Sequence, residues 1–181
     1  MSQEVIQRFT ALVNDFDARV QAAPADSWGN AAPCDGWTAA DIVSHITTNM
    51  NGITAGLTGT EAVTPDATQP VATWNAARTT LLDAINSHDL STNIAGPFGP
   101  MPAAQVIGRF VSTDMLVHTW DLARAVGGDE QISAAAVEGA YSGLKPMDAM
   151  LRSPGMFGPK VEAAEGDDLQ TEFLKFLGRA V

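Results

Sequence analysis

The sequence is poor in cysteine and in basic side chains. Cys34 is its only cysteine, so no internal disulfide can form, and the chain fits a reducing compartment. Its 10 lysines and arginines are outnumbered by 21 aspartates and glutamates and are scattered along the chain. Phosphate binding needs clustered basic side chains, so we do not expect a nucleic acid partner.

Long apolar segments and an export signal are also missing. No apolar run approaches the roughly 20 residues that span a bilayer, so no membrane association is expected. The first four residues include Glu4 where a signal peptide needs basic residues, and no apolar segment follows. The sequence therefore predicts a cytoplasmic protein. Its 181 residues, 45% of them apolar, suit a single domain spanning 1–181.

What is present is a helical pattern. Apolar side chains recur at three- and four-residue steps along most of the chain. No alternating pattern is long enough for a sheet, although a short hairpin is expected around 93–101. We therefore predict an all-α fold, with a four-helix bundle, long connections and short additional C-terminal helices. The predicted helices run over 2–22, from 38 to a frayed end at 56–59, from 70 to at least 85, over 102–126, from 133 to about 153 and over 167–177, with Pro146 kinking or interrupting the fifth.

Three helix boundaries carry recognisable signals. Thr38 and Asp41 resemble a capping box at the start of the second helix, with Asp in place of the usual Glu or Gln. Pro70 is well placed as the first residue of the third helix. The pair Gly127-Gly128 is expected to stop the fourth helix.

The histidines are the most informative residues. The chain has three, and two of them, His45 and His118, follow Asp41 and Asp114 by four positions in predicted helices. Residues four apart lie on the same helix face, so two facing helices would bring both imidazoles and a carboxylate to one point. These are ligands that borderline divalent metals prefer. His88 lies in a polar turn and is expected to be exposed.

Spacing alone does not decide which acid joins the histidines. Asp41 has a competing role in the capping box, whereas Asp114 lies inside its helix and has none. We therefore favour His45, Asp114 and His118 as metal ligands. Three protein ligands leave positions open for water and substrate, which is typical of catalytic sites. The alternative is that each aspartate merely forms a hydrogen bond with the histidine of its own helix.

Four further residues have two interpretations each. Trp37 and Trp120 are candidates to line a substrate pocket, although large aromatics more often belong to the core. Asp121 is expected to pair with Arg124, with the orientation of a ligating histidine as the alternative. Cys34 fits packing beside Trp37 better than a redox or ligand role. No general base outside the metal site is evident.

Two blocks of sequence resemble a known family. Residues 33–45 read Pro-Cys-Asp-Gly-Trp-Thr-Ala-Ala-Asp-Ile-Val-Ser-His, and residues 114–125 read Asp-Met-Leu-Val-His-Thr-Trp-Asp-Leu-Ala-Arg-Ala. Both resemble blocks of actinobacterial DinB-like metalloproteins, in the branch related to the N-terminal domain of mycothiol-dependent maleylpyruvate isomerase. The tail from 157 to 179 is also similar, so the resemblance covers nearly the whole chain.

The resemblance implies a DinB-like bundle in which His45, Asp114 and His118 bind zinc or a similar ion. The isomerase has Glu at the position of Asp114. It also carries an additional C-terminal domain for which this chain is too short, so the isomerase reaction itself is not expected here.

The predicted function is that of a divalent-metal-dependent transferase or isomerase acting with a low-molecular-weight thiol, such as mycothiol, bound at the metal. Zinc is the first choice of metal, with nickel, iron and manganese as alternatives. The expected partner is a small-molecule substrate, and a homodimer is compatible with the sequence. Three alternatives stay open: a non-enzymatic metal-binding or stress-response module, a non-haem iron protein, and a pathway-specific metalloenzyme of secondary metabolism.

Overall fold

The computed structural model describes residues 2–152 and 157–181, and it is helical, as predicted. Strands in these residues are confined to one short hairpin and isolated bridges. None of the described helices is long and apolar enough to cross a membrane. The chain divides into two compact units, Met1–Glu130 and Gln131–Val181. That both units form one domain stays a prediction.

A four-helix bundle forms the first unit. Helix α2 packs against α3 and α5, and α1 packs against the same two helices, so the four close a ring. Large side chains without solvent exposure fill its centre, and each contributes roughly 1.5–3 kcal/mol through burial. The helices of this unit are α1 (Ser2–Ala22), α2 (Ala39–Thr58), α3 (Pro70–Ser87), α4 (Ala103–Gln105) and α5 (Ser112–Val126).

Helix α1 has the predicted bounds and buries the predicted stripe. Phe9, Val13 and Phe16 have no exposed surface and face the core. The ring of Phe16 lies 4.7 Å from that of Trp74 on α3. The Trp74 indole nitrogen donates a hydrogen bond of 2.7 Å to Oδ1 of Asp17, so its one polar atom is satisfied although the side chain is buried.

Helix α2 begins with the predicted capping box. The Asp41 amide donates to Oγ1 of Thr38 at 3.3 Å, and the Thr38 amide donates to Oδ2 of Asp41 at 2.8 Å. The Thr38 hydroxyl also donates to that oxygen, and this bond and the amide bond hold the pKa of Asp41 below its usual value. Gly59, with φ of 72°, ends the helix in the left-handed conformation.

The predicted helix over 102–126 exists but contains a turn that the sequence did not reveal. Between α4 and α5 the segment Val106–Val111 is π-helical, and the amide of Ser112 donates to the carbonyl of Ile107, five residues back. Such turns occur mostly singly within α-helices and often near functional sites. Gly127, with φ of 69°, ends α5 where predicted.

A two-residue hairpin lies where it was expected. Strand β1 (Asn93–Ile94) pairs antiparallel with β2 (Met101–Pro102). Ile94 is only 4% exposed and packs on α2 at Gly56. A side chain at Gly56 would place its Cβ 2.8 Å from Cβ of Ile94, so a glycine is needed for this close approach.

The second unit is built from short helices. Pro146 interrupts the fifth predicted helix, as expected, and Ser133 caps its start. The predicted end of that helix near Ser153 lies outside the described residues. The Tyr141 ring packs against those of Phe173 and Phe176. The elements are α6 (Ala134–Leu144), a 3-10 turn (Lys145–Met147), α7 (Asp148–Leu151) and α8 (Leu169–Phe176).

Candidate metal centre

The loop before α2 is folded back onto the bundle and carries Cys34 and Trp37. The side-chain Nδ2 of Asn30 in this loop donates a 3.0 Å hydrogen bond to the carbonyl of Ala125, near the end of α5. A tight turn from Cys34 to Trp37 is closed by a 3.0 Å bond from the Trp37 amide to the Cys34 carbonyl, and Gly36 within it has φ of 76°. Both side chains are thereby held near α2 and α5.

The structure brings His45, Asp114 and His118 together. Each offers one ligand atom, and these atoms lie within 4.8 Å of one another. Nε2 of His45, on α2, is 2.9 Å from Oδ2 of Asp114, and Nε2 of His118 is 3.5 Å from Oδ1 of the same carboxylate. The two imidazoles therefore face opposite oxygens of one carboxylate.

These distances suit a divalent ion. Ligand atoms of a tetrahedral zinc ion lie about 3.3 to 3.6 Å apart, given bonds of about 2.0 to 2.2 Å to nitrogen and oxygen. Of the two measured separations, 3.5 Å lies within that range, and 2.9 Å would need to open by less than about half an ångström. Two imidazoles and a carboxylate are also a suitable donor set. The residues therefore fit a metal, and the role of His45, Asp114 and His118 as its ligands stays a prediction.

Exposure differs between the two ends of the cluster. The side chains of His45 and Asp114 are 33% and 27% exposed, whereas that of His118 is 8% exposed. One side of the cluster is therefore open to a small molecule, while the other is enclosed by the bundle.

The electrostatics of the cluster are dominated by the carboxylate. Burial raises the pKa of the Asp114 carboxyl, but hydrogen bonds and charge from His118 and His45 outweigh that effect and hold the pKa well below its usual value. Burial lowers the pKa of His118, but its contacts with Asp114, Asp121 and Cys34 raise it well above the ordinary value for histidine. Asp114 is thus a carboxylate at neutral pH, as metal binding requires.

Asn49 is a residue of the site that sequence reasoning could not assign. Its Nδ2 lies 2.8 Å from Oδ2 of Asp114 and 3.3 Å from Nε2 of His45. Thr48, its neighbour, is exposed and donates instead to the carbonyl of Ser44. The signal for Asn49 was its spacing of four from His45, which puts both side chains on one face of α2.

The two candidate pocket tryptophans differ in position. The Trp37 ring stacks on His118 at 5.7 Å between centroids and lies 5.1 Å from the ring of His45. Trp37 thus forms an apolar wall beside both histidines. Trp120 is 1% exposed, and the Arg124 guanidinium lies 4.6 Å from its ring centre. A pocket role for Trp120 stays a prediction.

The expected pairing of Asp121 with Arg124 is wrong. Arg124 instead forms two hydrogen bonds, of 3.0 and 2.7 Å, with Glu130. Asp121 is fully buried, and its Oδ2 lies 2.9 Å from Nδ1 of His118. The Cys34 thiol donates to the same oxygen at 3.5 Å. Cys34 therefore lies against the far side of His118 in addition to packing near Trp37.

The remaining residues are placed as the sequence suggested. Asp41 points to the helix cap and is not part of the cluster. His88 is exposed, and its Nδ1 lies 3.0 Å from the carbonyl of Ala84.

Comparisons with known proteins agree with this architecture. Two uncharacterized proteins from strains of Mycobacterium tuberculosis are each 27% identical over 171 residues, which is 92% of this chain and 92% of theirs. Crystal structures of the mycothiol-dependent maleylpyruvate isomerase and of a histidine-to-alanine mutant superpose with TM-scores of 0.55 and 0.58, at 15% and 12% identity. Each match covers 76% of this chain and 67% of the other, and at such low identity it shows the fold alone.

The family assignment rests on a separate sequence match. The model of the mycothiol maleylpyruvate isomerase N-terminal domain matches residues 9–123, which include His45, Asp114 and His118. This segment lies within the first compact unit and contains most of the bundle. The chain therefore belongs to the family of the mycothiol maleylpyruvate isomerase N-terminal domain.

Proposed function

We propose that this protein is a divalent-metal enzyme that transfers or isomerises groups with the help of a low-molecular-weight thiol. His45, Asp114 and His118 would hold the ion, with zinc as the first choice. The proposal is supported above all by the convergence of these side chains, which come from two helices far apart in the sequence and meet within 4.8 Å.

The residues around the cluster have separate tasks in this proposal. Asn49 donates a hydrogen bond to Oδ2 of Asp114 and so fixes the orientation of the carboxylate. Trp37 covers the His118 ring and keeps water from one side of it. Asp121 lies 2.9 Å from Nδ1 of His118 and would orient the ring so that Nε2 faces the proposed ion.

The open side of the cluster suits a small ligand. His45 and Asp114 retain about a third and a quarter of their side-chain surface, so a thiol or an electrophile can approach them from solvent. When bound, a divalent ion supplies a nucleophile at neutral pH, because it lowers the pKa of a thiol or water. We propose a thiol because the chain belongs to the family of the mycothiol maleylpyruvate isomerase N-terminal domain.

Metal content gives the first test. We expect untagged, purified protein to contain about one divalent ion per chain, because three side-chain ligands are present. His118→Ala should lose most of it, while His88→Ala serves as the matched control, since His88 is exposed and outside the cluster. Elemental analysis measures both. Equal metal content in wild type and His118→Ala would contradict the proposed ligand set.

Catalysis needs its own test. Zinc-loaded protein should conjugate mycothiol to monochlorobimane faster than the chelated protein does, and His45→Ala should resemble the chelated protein. Fluorescence of the conjugate measures the rate. A protein that binds zinc but gives no conjugation with mycothiol or other bacterial thiols would support a binding module and refute the proposed transferase activity.

A further inference from the structure

The side of His118 that faces away from Asp114 has a ligand set of its own. Cys34, His118 and Asp121 each offer one ligand atom, and these atoms lie within 4.8 Å of one another. We propose that they form a second cation site, for a thiophilic divalent ion such as Zn²⁺ or Cd²⁺. The site does not depend on the proposed transferase activity.

The distances fit such an ion. The Cys34 sulfur is 3.5 Å from Oδ2 of Asp121, and Nδ1 of His118 is 2.9 Å from the same oxygen. The ligand atoms of a tetrahedral zinc ion lie about 3.3 to 3.6 Å apart when one ligand is a thiolate. The sulfur–oxygen separation already matches, and the nitrogen–oxygen separation needs to open by less than about half an ångström.

Burial provides an independent reason to expect a ligand here. Asp121 has no exposed surface, and His118 is 7% exposed. Nδ1 of His118 is buried and, despite its ion-pair contact with Asp121, forms no hydrogen bond of adequate geometry within the described residues. A buried nitrogen in this state loses its hydration without full compensation. A cation held by Cys34 and Asp121 would bind this nitrogen directly and compensate for that loss.

The donor types give the site its selectivity. Imidazole and carboxylate bind many divalent ions, but a thiolate favours softer ones. The open cluster of His45 and Asp114 contains no sulfur, so the two sites should differ in their preference between Cd²⁺ and Mn²⁺ or Mg²⁺. The tight turn from Cys34 to Trp37 fixes the backbone that carries the sulfur.

The two sites share the His118 ring through different nitrogens. Nε2 faces Asp114, and Nδ1 faces Asp121. When the second ion binds alone, the thiol releases its proton to solvent and His118 binds through Nδ1 with its ring proton on Nε2. When both sites are filled, the ring releases that proton as well and bridges the two ions as an imidazolate, and no electrons are transferred. When the first site is filled, a second divalent charge on the same ring is unfavourable. We therefore expect the second ion to bind at least about tenfold more weakly than it does when the first site is disabled.

Cadmium titration of the full chain tests the second site, because cadmium bound to thiolate absorbs in the ultraviolet. The reduced, metal-stripped protein should show this band, and Cys34→Ser should lack it while still binding one ion. Asp114→Asn disables the first site and should keep the band, which should then saturate with one equivalent. Asp121→Asn should lower the affinity of the site that produces the band at least about tenfold.

The matched control for Asp121 is Asp35→Asn. Asp35 adjoins Cys34 in sequence but is exposed, so this variant should titrate like wild type. Circular dichroism checks that each variant is folded, and Asp121→Asn changes neither shape nor volume. The second site is refuted if wild type shows no band, or if Asp121→Asn and His118→Ala bind cadmium through the thiol as tightly as wild type. If wild type showed the band but bound no further ion at His45, Asp114 and His118, only the proposal that these three residues bind metal would be refuted.

Discussion

The chain contains the same Asp-x-x-x-His spacing twice, and the two copies differ completely in what the aspartate does. In the first, Asp41 bonds with Thr38 at the start of α2, and it lies outside the cluster around His45. In the second, Asp114 contacts the histidine of its own helix and also His45 of the other pair. Both histidines thus share the carboxylate of the second pair.

The difference arises from position within the helix. Asp41 is the third residue of α2, where free backbone amides and the Thr38 hydroxyl compete for a carboxylate. Asp114 follows the π-helical turn, so its carboxylate lies in a continuous helix without a cap to occupy it. The equal spacing places each aspartate on the same helix face as its histidine, but it does not give the two aspartates the same partners. The position of the helix start decides which aspartate is available to the histidines.

The largest expected effect separates the two aspartates. In a Cys34→Ser background, which removes the second site, Asp114→Asn should lower metal affinity by more than about 100-fold, because it removes a charged ligand and leaves two histidines without a carboxylate. Asp41→Asn should leave the affinity within about twofold, because its side chain is at the cap. Competition with a fluorescent zinc chelator measures both. If the two substitutions weakened binding equally, the distinction between the pairs would fail.

A smaller effect is expected from the residue that orients the shared carboxylate. Asn49→Ala should lower metal affinity about tenfold, because it removes the 2.8 Å hydrogen bond to Asp114. Thr48→Ala is the matched control on the same helix, since its exposed hydroxyl bonds only with Ser44 in α2. The same chelator competition applies. An unchanged affinity in Asn49→Ala would show that the carboxylate is held without it.

The capping role of Asp41 and Thr38 is tested by the free energy of unfolding. Thr38→Ala should lower the free energy of unfolding by about 1 kcal/mol, because it removes the side-chain cap of α2. Metal content should not change. Urea denaturation of the stripped protein measures the difference, and Thr38→Ser, which retains a hydroxyl, should stay close to wild type. A loss of metal in Thr38→Ala would mean that the cap and the cluster are coupled.

The smallest expected effect is on stability at acidic pH. The pKa of Asp41 is lower in the folded chain than the value of 3.8 expected when unfolded, so the carboxylate stabilises the fold above that value and loses this effect as the pH falls through the folded pKa. The stability advantage of wild type over Thr38→Ala should therefore shrink between neutral pH and about pH 3. Denaturation at several pH values follows it. An advantage that grew in acid would have the wrong sign for a depressed pKa.

Much of the fold followed from sequence because its signals are local. The bounds of α1 were predicted from the apolar stripe alone, and the starts of α2 and α3 from Thr38 and Pro70. The π-helical segment Val106–Val111 was not predicted, because its apolar residues fit an ordinary helix equally well. The pattern fixes which residues face the core, but not how many backbone residues each turn contains.

The candidate site was predictable in part for the same reason. His45 and His118 follow from spacing, together with one assumption about which helices face each other. Asp114 was chosen over Asp41 only because Asp41 has a role in the helix cap. Asp121 was assigned to Arg124 because the two are close in sequence, whereas Glu130 reaches the arginine from beyond the end of α5. Cys34 lies in a loop, and no periodicity indicates that this loop returns to the far side of His118.

The π-helical turn has a consequence for how this helix tolerates insertions and deletions. Such a turn has the geometry of an α-helix into which one extra residue has been inserted. Removal of one residue from Val106–Val111 would therefore restore regular α-geometry and keep the start of the helix and Asp114 in nearly their present phase, because the wide turn already absorbs the extra residue. A deletion between this turn and Asp114 would instead rotate the carboxylate by about 100° relative to the start of the helix, away from the histidine of the neighbouring helix.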